Sequence, residues 1–129
     1  MPARDQGNLL RLAAALTELG ARLRVAGMTD AESKALHIVI DDVMLSRAQQ
    51  TTWRTDAGAL DVLTEVAHEG GPAGYDELVR RAVSLRLDTF DVQVISLEDL
   101  IAAKEAANRD KDHEALPELR LLRDRPGNA

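Results

Sequence analysis

The sequence predicts an α/β (α+β) protein, a mixed β-sheet with flanking helices, and three patterns carry that expectation. Apolar residues step by three and four at Leu9, Leu12, Ala13, Leu16 and Leu19, and again at Leu97, Leu100 and Ile101, which is the period of a helix with one covered face. Small or apolar residues alternate with polar ones from Ala21 to Val25 and from Asp91 to Ile95, the period of a half-covered strand. Thr51 to Leu63 gives two strand-like runs around Asp56-Ala57-Gly58, a hairpin that makes the sheet mixed rather than purely parallel.

Taken in order, the first helix starts near Asn8, a good cap, and stops at Gly20, which suits the left-handed position after a helix end. The Ala21–Val25 strand closes at Gly27. Thr29-Asp30-Ala31-Glu32 reads as a helix start, His37-Ile38-Val39-Ile40 as a strand, and Asp41 to Gln50 as a further helix. The hairpin follows, with one carboxylate, Asp61, set among the apolar residues of its second strand. Gly70 to Gly74 is a loop, and Tyr75, Leu78, Val79 and Ala82 mark a short helix with Arg80 and Arg81 outward. After the Asp91–Ile95 strand, Ser96 and Asp99 form a capping box for a helix through Ala107. Leu116, Leu119 and Leu122 share one side of a last helix, which restarts or bends near Pro117. One domain is expected over residues 1–125, with 126–129 as a flexible tail.

Composition narrows the function. With one Phe, one Tyr and one Trp, the core must be built from Leu, Val, Ala and Ile. A net charge of -6 argues against strong, unspecific nucleic-acid binding and leaves room only for a local basic pocket. The absence of cysteine excludes disulfides, thiolate metal sites and a thiol nucleophile, and is compatible with the cytoplasm. No apolar run approaches the roughly 20 residues of a membrane span. His37, His68 and His113 lack zinc-ligand spacing, Gly70, Gly71 and Gly74 form no phosphate-cradling motif, and a lone Trp53 in an apolar hairpin reads as core rather than as a base-stacking platform. Arg22, Arg24, Arg80 and Arg81 read as solvated faces.

The segments T-T-W-R-T-D-A-G-A-L-D-V-L (Thr51 to Leu63) and S-L-E-D-L-I-A-A-K-E-A-A-N-R-D-K-D (Ser96 to Asp112) together resemble the second half of a minimal nucleotidyltransferase-fold domain. Pro2 to Leu12 resembles the start of the helix that follows that family's D-x-D strand. The resemblance implies a nucleotidyltransferase-like fold that is N-terminally truncated at Met1, without its Gly-rich turn and D-x-D strand. In that family, carboxylates at i and i+2 on one strand, plus a third on a neighbouring strand, hold Mg2+. By position Asp61 matches the third, the catalytic and metal-facing carboxylate. Lys104, Arg109 and Lys111 match the helix ending that would meet a bound NTP.

On the residues alone other roles stay open. Asp61 also suits the wet face of a half-exposed strand, Lys104 a surface position, Arg109 the negative end of a helix, and Asp112 a helix cap. Asp110-Lys111-Asp112 is the one D-x-D in the chain, but it falls between helices, and Asp41-Asp42 are adjacent and would point apart on a strand. The resemblance implies Mg2+-dependent transfer of a nucleotide from an NTP to an acceptor, impaired here. The alternative is a non-catalytic interaction module of toxin-antitoxin or defence-system type, binding a protein partner or forming a homodimer.

Overall fold

The computed structural model describes residues 1–127, so Asn128 and Ala129 of the expected tail lie outside the described residues. The chain divides into two compact units, Met1–Glu65 and Val66–Ala129.

In the first unit, α1 (Gln6–Glu18) starts one turn earlier than the sequence suggests, because Asp5 rather than Asn8 is the cap: its carboxylate accepts the Asn8 N–H at 2.9 Å. Asn8 instead donates its side-chain amide to Ala3 O at 2.9 Å and anchors the incoming chain. The helix ends as expected at Gly20. Ala21 N–H reaches back to Leu16 O and Gly20 N–H to Thr17 O, and Gly20 adopts φ +62°. A Cβ there would lie 2.5 Å from an Asp56 carboxylate oxygen, so a side chain would displace that exposed carboxylate, and the left-handed backbone itself favours glycine.

The strand expected at 21–25 is only β1 (Arg22–Leu23), although Arg24 N–H continues the ladder to Thr52 O at 2.8 Å. Then come α2 (Asp30–Ala35), with the capping box of Thr29 and Glu32, and α3 (Asp42–Arg47), capped by Asp41. His37 to Ile40 forms no strand, and α3 stops at Arg47 because Gln50 already belongs to the hairpin. The hairpin is as read: β2 (Gln50–Thr55) and β3 (Gly58–Leu63) pair in antiparallel register from Gln50↔Leu63 to Thr55↔Gly58. With β1 they form a three-stranded sheet in the order β1-β2-β3.

Alternation along β2 sends Thr51 and Trp53 inward. Trp53 is fully buried and packs with Leu9, Ala13 and Leu16 of α1, Leu45 of α3 and Val62 of β3. Its indole N–H, which would otherwise be an unpaired buried donor, donates to Thr51 Oγ1 at 2.8 Å.

Strand β4 (Glu65–Val66) pairs with β5 (Ala73–Gly74). The helix expected at 75–82 is α4 (Tyr75–Leu78), which tightens into a 3-10 turn over Val79–Arg81. Strand β6 (Val83–Leu87), which the sequence reading passed over, pairs antiparallel with β7 (Phe90–Val94) around Asp88-Thr89. Asp88 takes φ +47°, which aspartate tolerates better than most residues. Helix α5 (Leu97–Ala107) is capped by Ser96 as expected and ends at left-handed Asn108. It packs against α6 (Asp110–Arg123), which runs through Pro117 instead of restarting there. The sheets are thus three small ones, not one mixed sheet, and no helix among the described residues is long and apolar enough to cross a membrane.

Truncating Leu16, 0% exposed beneath Trp53, should destabilise the first unit by about 2–5 kcal/mol. Trp53 is the only tryptophan, so urea denaturation followed by its fluorescence checks this directly, with a lower midpoint in Leu16→Ala.

Candidate functional site

Directly opposite residues on antiparallel strands share a sheet face. Because Trp53 and Leu23 face inward, their neighbours in the register face out: Arg22 opposite Arg54, and Thr52 opposite Asp61. Arg24, bonded through its backbone to Thr52, continues that outer face. Asp61 is exposed there, as its position between Leu60 and Val62 suggests, and no side chain among the described residues bonds to it. The same face carries an open cleft of about 340 Å³ lined by Arg22, Arg24, Arg54, Asp30, Thr55 and the Gly58-Ala59 backbone.

Arg22 is the fixed member of this face. Its Nε donates to Asp30 at 2.8 Å, and its Nη1 donates to Asp56 and to Gly20 O, each at 2.9 Å. These carboxylates raise its pKa and hold Asp30 below the usual carboxylate value. Arg24 and Arg54 are exposed and make no side-chain hydrogen bond or ion pair among the described residues. The sequence had marked Arg22 and Arg24 as solvated. Arg54 went unnoticed, and its signal was the i+1 position after a buried tryptophan in a strand, which places it opposite to the core.

The remaining residues singled out in the sequence lie in the second unit. Lys104 Nζ donates to Asp112 Oδ1 at 3.0 Å, and Arg109 Nε donates to Asp112 Oδ2 at 2.6 Å. Asp112 is 0% exposed and also accepts the Arg109 backbone N–H at 3.3 Å, so it caps α6 while neutralising two cations. The Arg109 guanidinium, then the Lys104 ammonium, pull its carboxyl far below the usual range against the opposing effect of burial. Lys104 and Arg109 are therefore bound to a carboxylate of their own helix pair. Lys111 is exposed and unpaired among the described residues. Asp110 is exposed whereas Asp112 is buried, so this D-x-D diverges on a helix and offers no shared face.

A second buried carboxylate, Asp99, organises the other end of α5. Arg81 grips it with Nε at 3.0 and 3.1 Å and Nη2 at 2.7 Å while its side chain stays half exposed. Ser96 Oγ donates to it at 2.8 Å, and His68 Nε2 lies 3.3 Å away. Arg81 first, then Ser96 and His68, push its carboxyl down to about 2, with burial opposing. The capping box was legible in the sequence, whereas Arg81 and His68 come from segments whose return to α5 only the tertiary fold supplies.

Magnesium takes octahedral oxygen ligands, commonly from one or two carboxylates and substrate phosphates. Asp30 and Asp56 on the first unit are held by Arg22, Asp61 stands apart from them in the pairing register, and no group of three or more metal-ligating side chains is assembled among the described residues.

Asp99 ionises more readily folded than unfolded, so its contribution to stability is full above pH 3.8 and is lost as the pH falls towards about 2. Asp112 acts in the same direction at lower pH. Asp99→Asn should accordingly flatten part of the acid limb between pH 4 and 2 in circular dichroism melts, relative to a chain that keeps the carboxylate.

Comparison of the chain with protein-family models, with curated proteins and with solved structures returns no match.

Proposed function

We propose that the protein is a non-catalytic interaction module, with nucleotidyltransferase-like elements, that pairs with a second copy of itself through the β6–β7 hairpin. One observation carries this reading. The hairpin's cross-strand pairs on one face are Val83/Val94, Leu85/Val92 and Leu87/Phe90, all apolar, while the other face holds Ser84/Gln93 and Arg86/Asp91. Five of those six apolar residues remain 38–57% exposed.

An isolated two-stranded hairpin is marginal in water, and a contiguous apolar patch of a few hundred Å² is at the upper end of what monomers leave bare. The face has no charge for a charged partner to match, and it is complementary to itself: two such faces stacked about 10 Å apart would cover each other around a two-fold axis. Standard interfaces bury ~800 Å² per partner, and a single two-stranded hairpin face suits a weak, concentration-dependent dimer. The engagement of Lys104 and Arg109 by Asp112 supports the non-catalytic part of the reading.

Sedimentation equilibrium is the test. The 14.1 kDa chain should approach twice that mass as concentration rises, and Leu85→Lys with Phe90→Lys should keep it monomeric with an unchanged far-ultraviolet spectrum. A wild-type chain that stays monomeric at all concentrations sinks the proposal.

The second reading, nucleotide transfer from an NTP, has one observation in its favour: Asp61 is exposed and unpaired on the face that also carries three arginines. It expects Mg2+-dependent incorporation of labelled nucleotide into an acceptor, reduced at least ~100-fold by Asp61→Ala.

A further inference from the structure

The outer face of the β1-β2-β3 sheet combines three features that its stability alone does not explain. The first is a like-charge pair: Arg22 and Arg54 are direct cross-strand partners, an arrangement that destabilises a sheet unless an anion lies between or beside the two. Asp30 and Asp56 answer Arg22 at 2.8 and 2.9 Å, and none of the described carboxylates bonds to Arg54.

The second is a deficit of acid partners in an acidic chain. Arg24 and Arg54 both line the same cleft, and neither makes an ion pair among the described residues. The third is concavity. The arginines open on a cleft of about 340 Å³, within the ~300–1,000 Å³ range of small-ligand sites, and Asp30 is its only acidic lining residue. Three guanidinium groups, Asp30 and the Asp56 carboxylate that bonds Arg22 leave this cluster with a charge of +1 in a chain of net charge -6.

We infer that this face is a binding site for a small phosphate-bearing dianion, a phosphomonoester or a diphosphate. Arg22, fixed by its two carboxylates, forms the rigid floor, and Arg24 and Arg54 close on the ligand. Guanidinium suits this role because its planar fork donates two parallel N–H bonds to adjacent phosphate oxygens and stays charged at any working pH. The Thr55 hydroxyl donates to Gly58 O at 2.7 Å and holds the hairpin end that forms the cleft's wall. A long polyanion is disfavoured, since the three arginines form a spot and not a track, and the rest of the chain is acidic. The site belongs to the first unit and does not depend on dimerisation through the β6–β7 hairpin.

The probe is inorganic pyrophosphate, titrated calorimetrically into the full chain in phosphate-free, magnesium-free buffer. A saturable 1:1 isotherm is expected, weakened at least ~10-fold by Arg24→Gln and by Arg54→Gln and unchanged by Arg86→Gln on the polar face of the β6–β7 hairpin. In buffer without the anion, Arg54→Gln should melt no lower than the wild type, because it removes a like-charge neighbour, and it should lose the rise in melting temperature that pyrophosphate gives the wild type. Arg24→Gln, at an exposed position outside the paired residues of β1, carries the test if Arg54→Gln proves unstable. The inference is overturned by the absence of a saturable isotherm, by equal binding in the Arg24→Gln/Arg54→Gln double variant, or by a single-stranded oligonucleotide that binds more tightly than pyrophosphate.

Discussion

Burial of Trp53 is the constraint from which the first unit follows. A strand has two faces and a period of two, so once the indole is enclosed by Leu9, Leu16 and Val62, every even-numbered position of β2 must look the other way. The pairing register then carries that choice to the neighbouring strands and puts Arg22, Arg24, Arg54, Thr52 and Asp61 on one exposed surface. A slip of one residue would expose the tryptophan and bury arginine, an error far too costly to be populated. Core and surface chemistry are thus two outcomes of a single packing decision. Gly20 ends α1 in a left-handed conformation, and the Asp56 N–H at the hairpin turn bonds to Leu19 O beside it at 2.9 Å.

The second unit is organised by carboxylates. Asp99 and Asp112 are nearly or fully buried, and each is surrounded by cations and by the hydrogen bonds of a helix start. A buried ion that lost its partners would be strongly destabilising, so these clusters specify where Arg81, His68, Lys104 and Arg109 must lie more than they add net stability. That bears on how a basic helix ending is read. Lys104 and Arg109 have the residue types and spacing of a phosphate-binding ending, yet the same types and spacing close a clasp around the first turn of the next helix.

The β6–β7 hairpin and the arginine face are surfaces that the fold leaves open. One leaves apolar side chains in water, and the other leaves guanidinium groups without acid partners. In a chain that otherwise pairs its buried polar atoms completely among the described residues, incomplete satisfaction at the surface is a physical signature of binding.

Much of the local structure was legible in the residues. The helical stripe of α1, the Thr29 and Ser96 caps, the Gly20 stop and the β2–β3 hairpin all follow from side-chain period and backbone preference, which act over a few neighbours. Strand β6 was equally legible, as V-S-L-R-L alternates as cleanly as the F-D-V-Q-V that follows its Asp-Thr turn, but no family-like motif drew attention to it. His37 to Ile40 shows the opposite failure: β-branched residues that found no strand partner and stayed irregular. The sequence by itself determined which residues alternate, where helices begin and that Asp61 faces away from its apolar neighbours. Only the tertiary structure decided that Arg22 and Arg54 stand opposite each other, that Asp112 holds Lys104 and Arg109, and that Arg81 and His68 meet Asp99. The Arg22–Arg54 and Asp99 encounters depend on segments 18 or more residues apart being brought together, and the Asp112 clasp depends on the sharp turn between α5 and α6, none of which a local periodicity encodes.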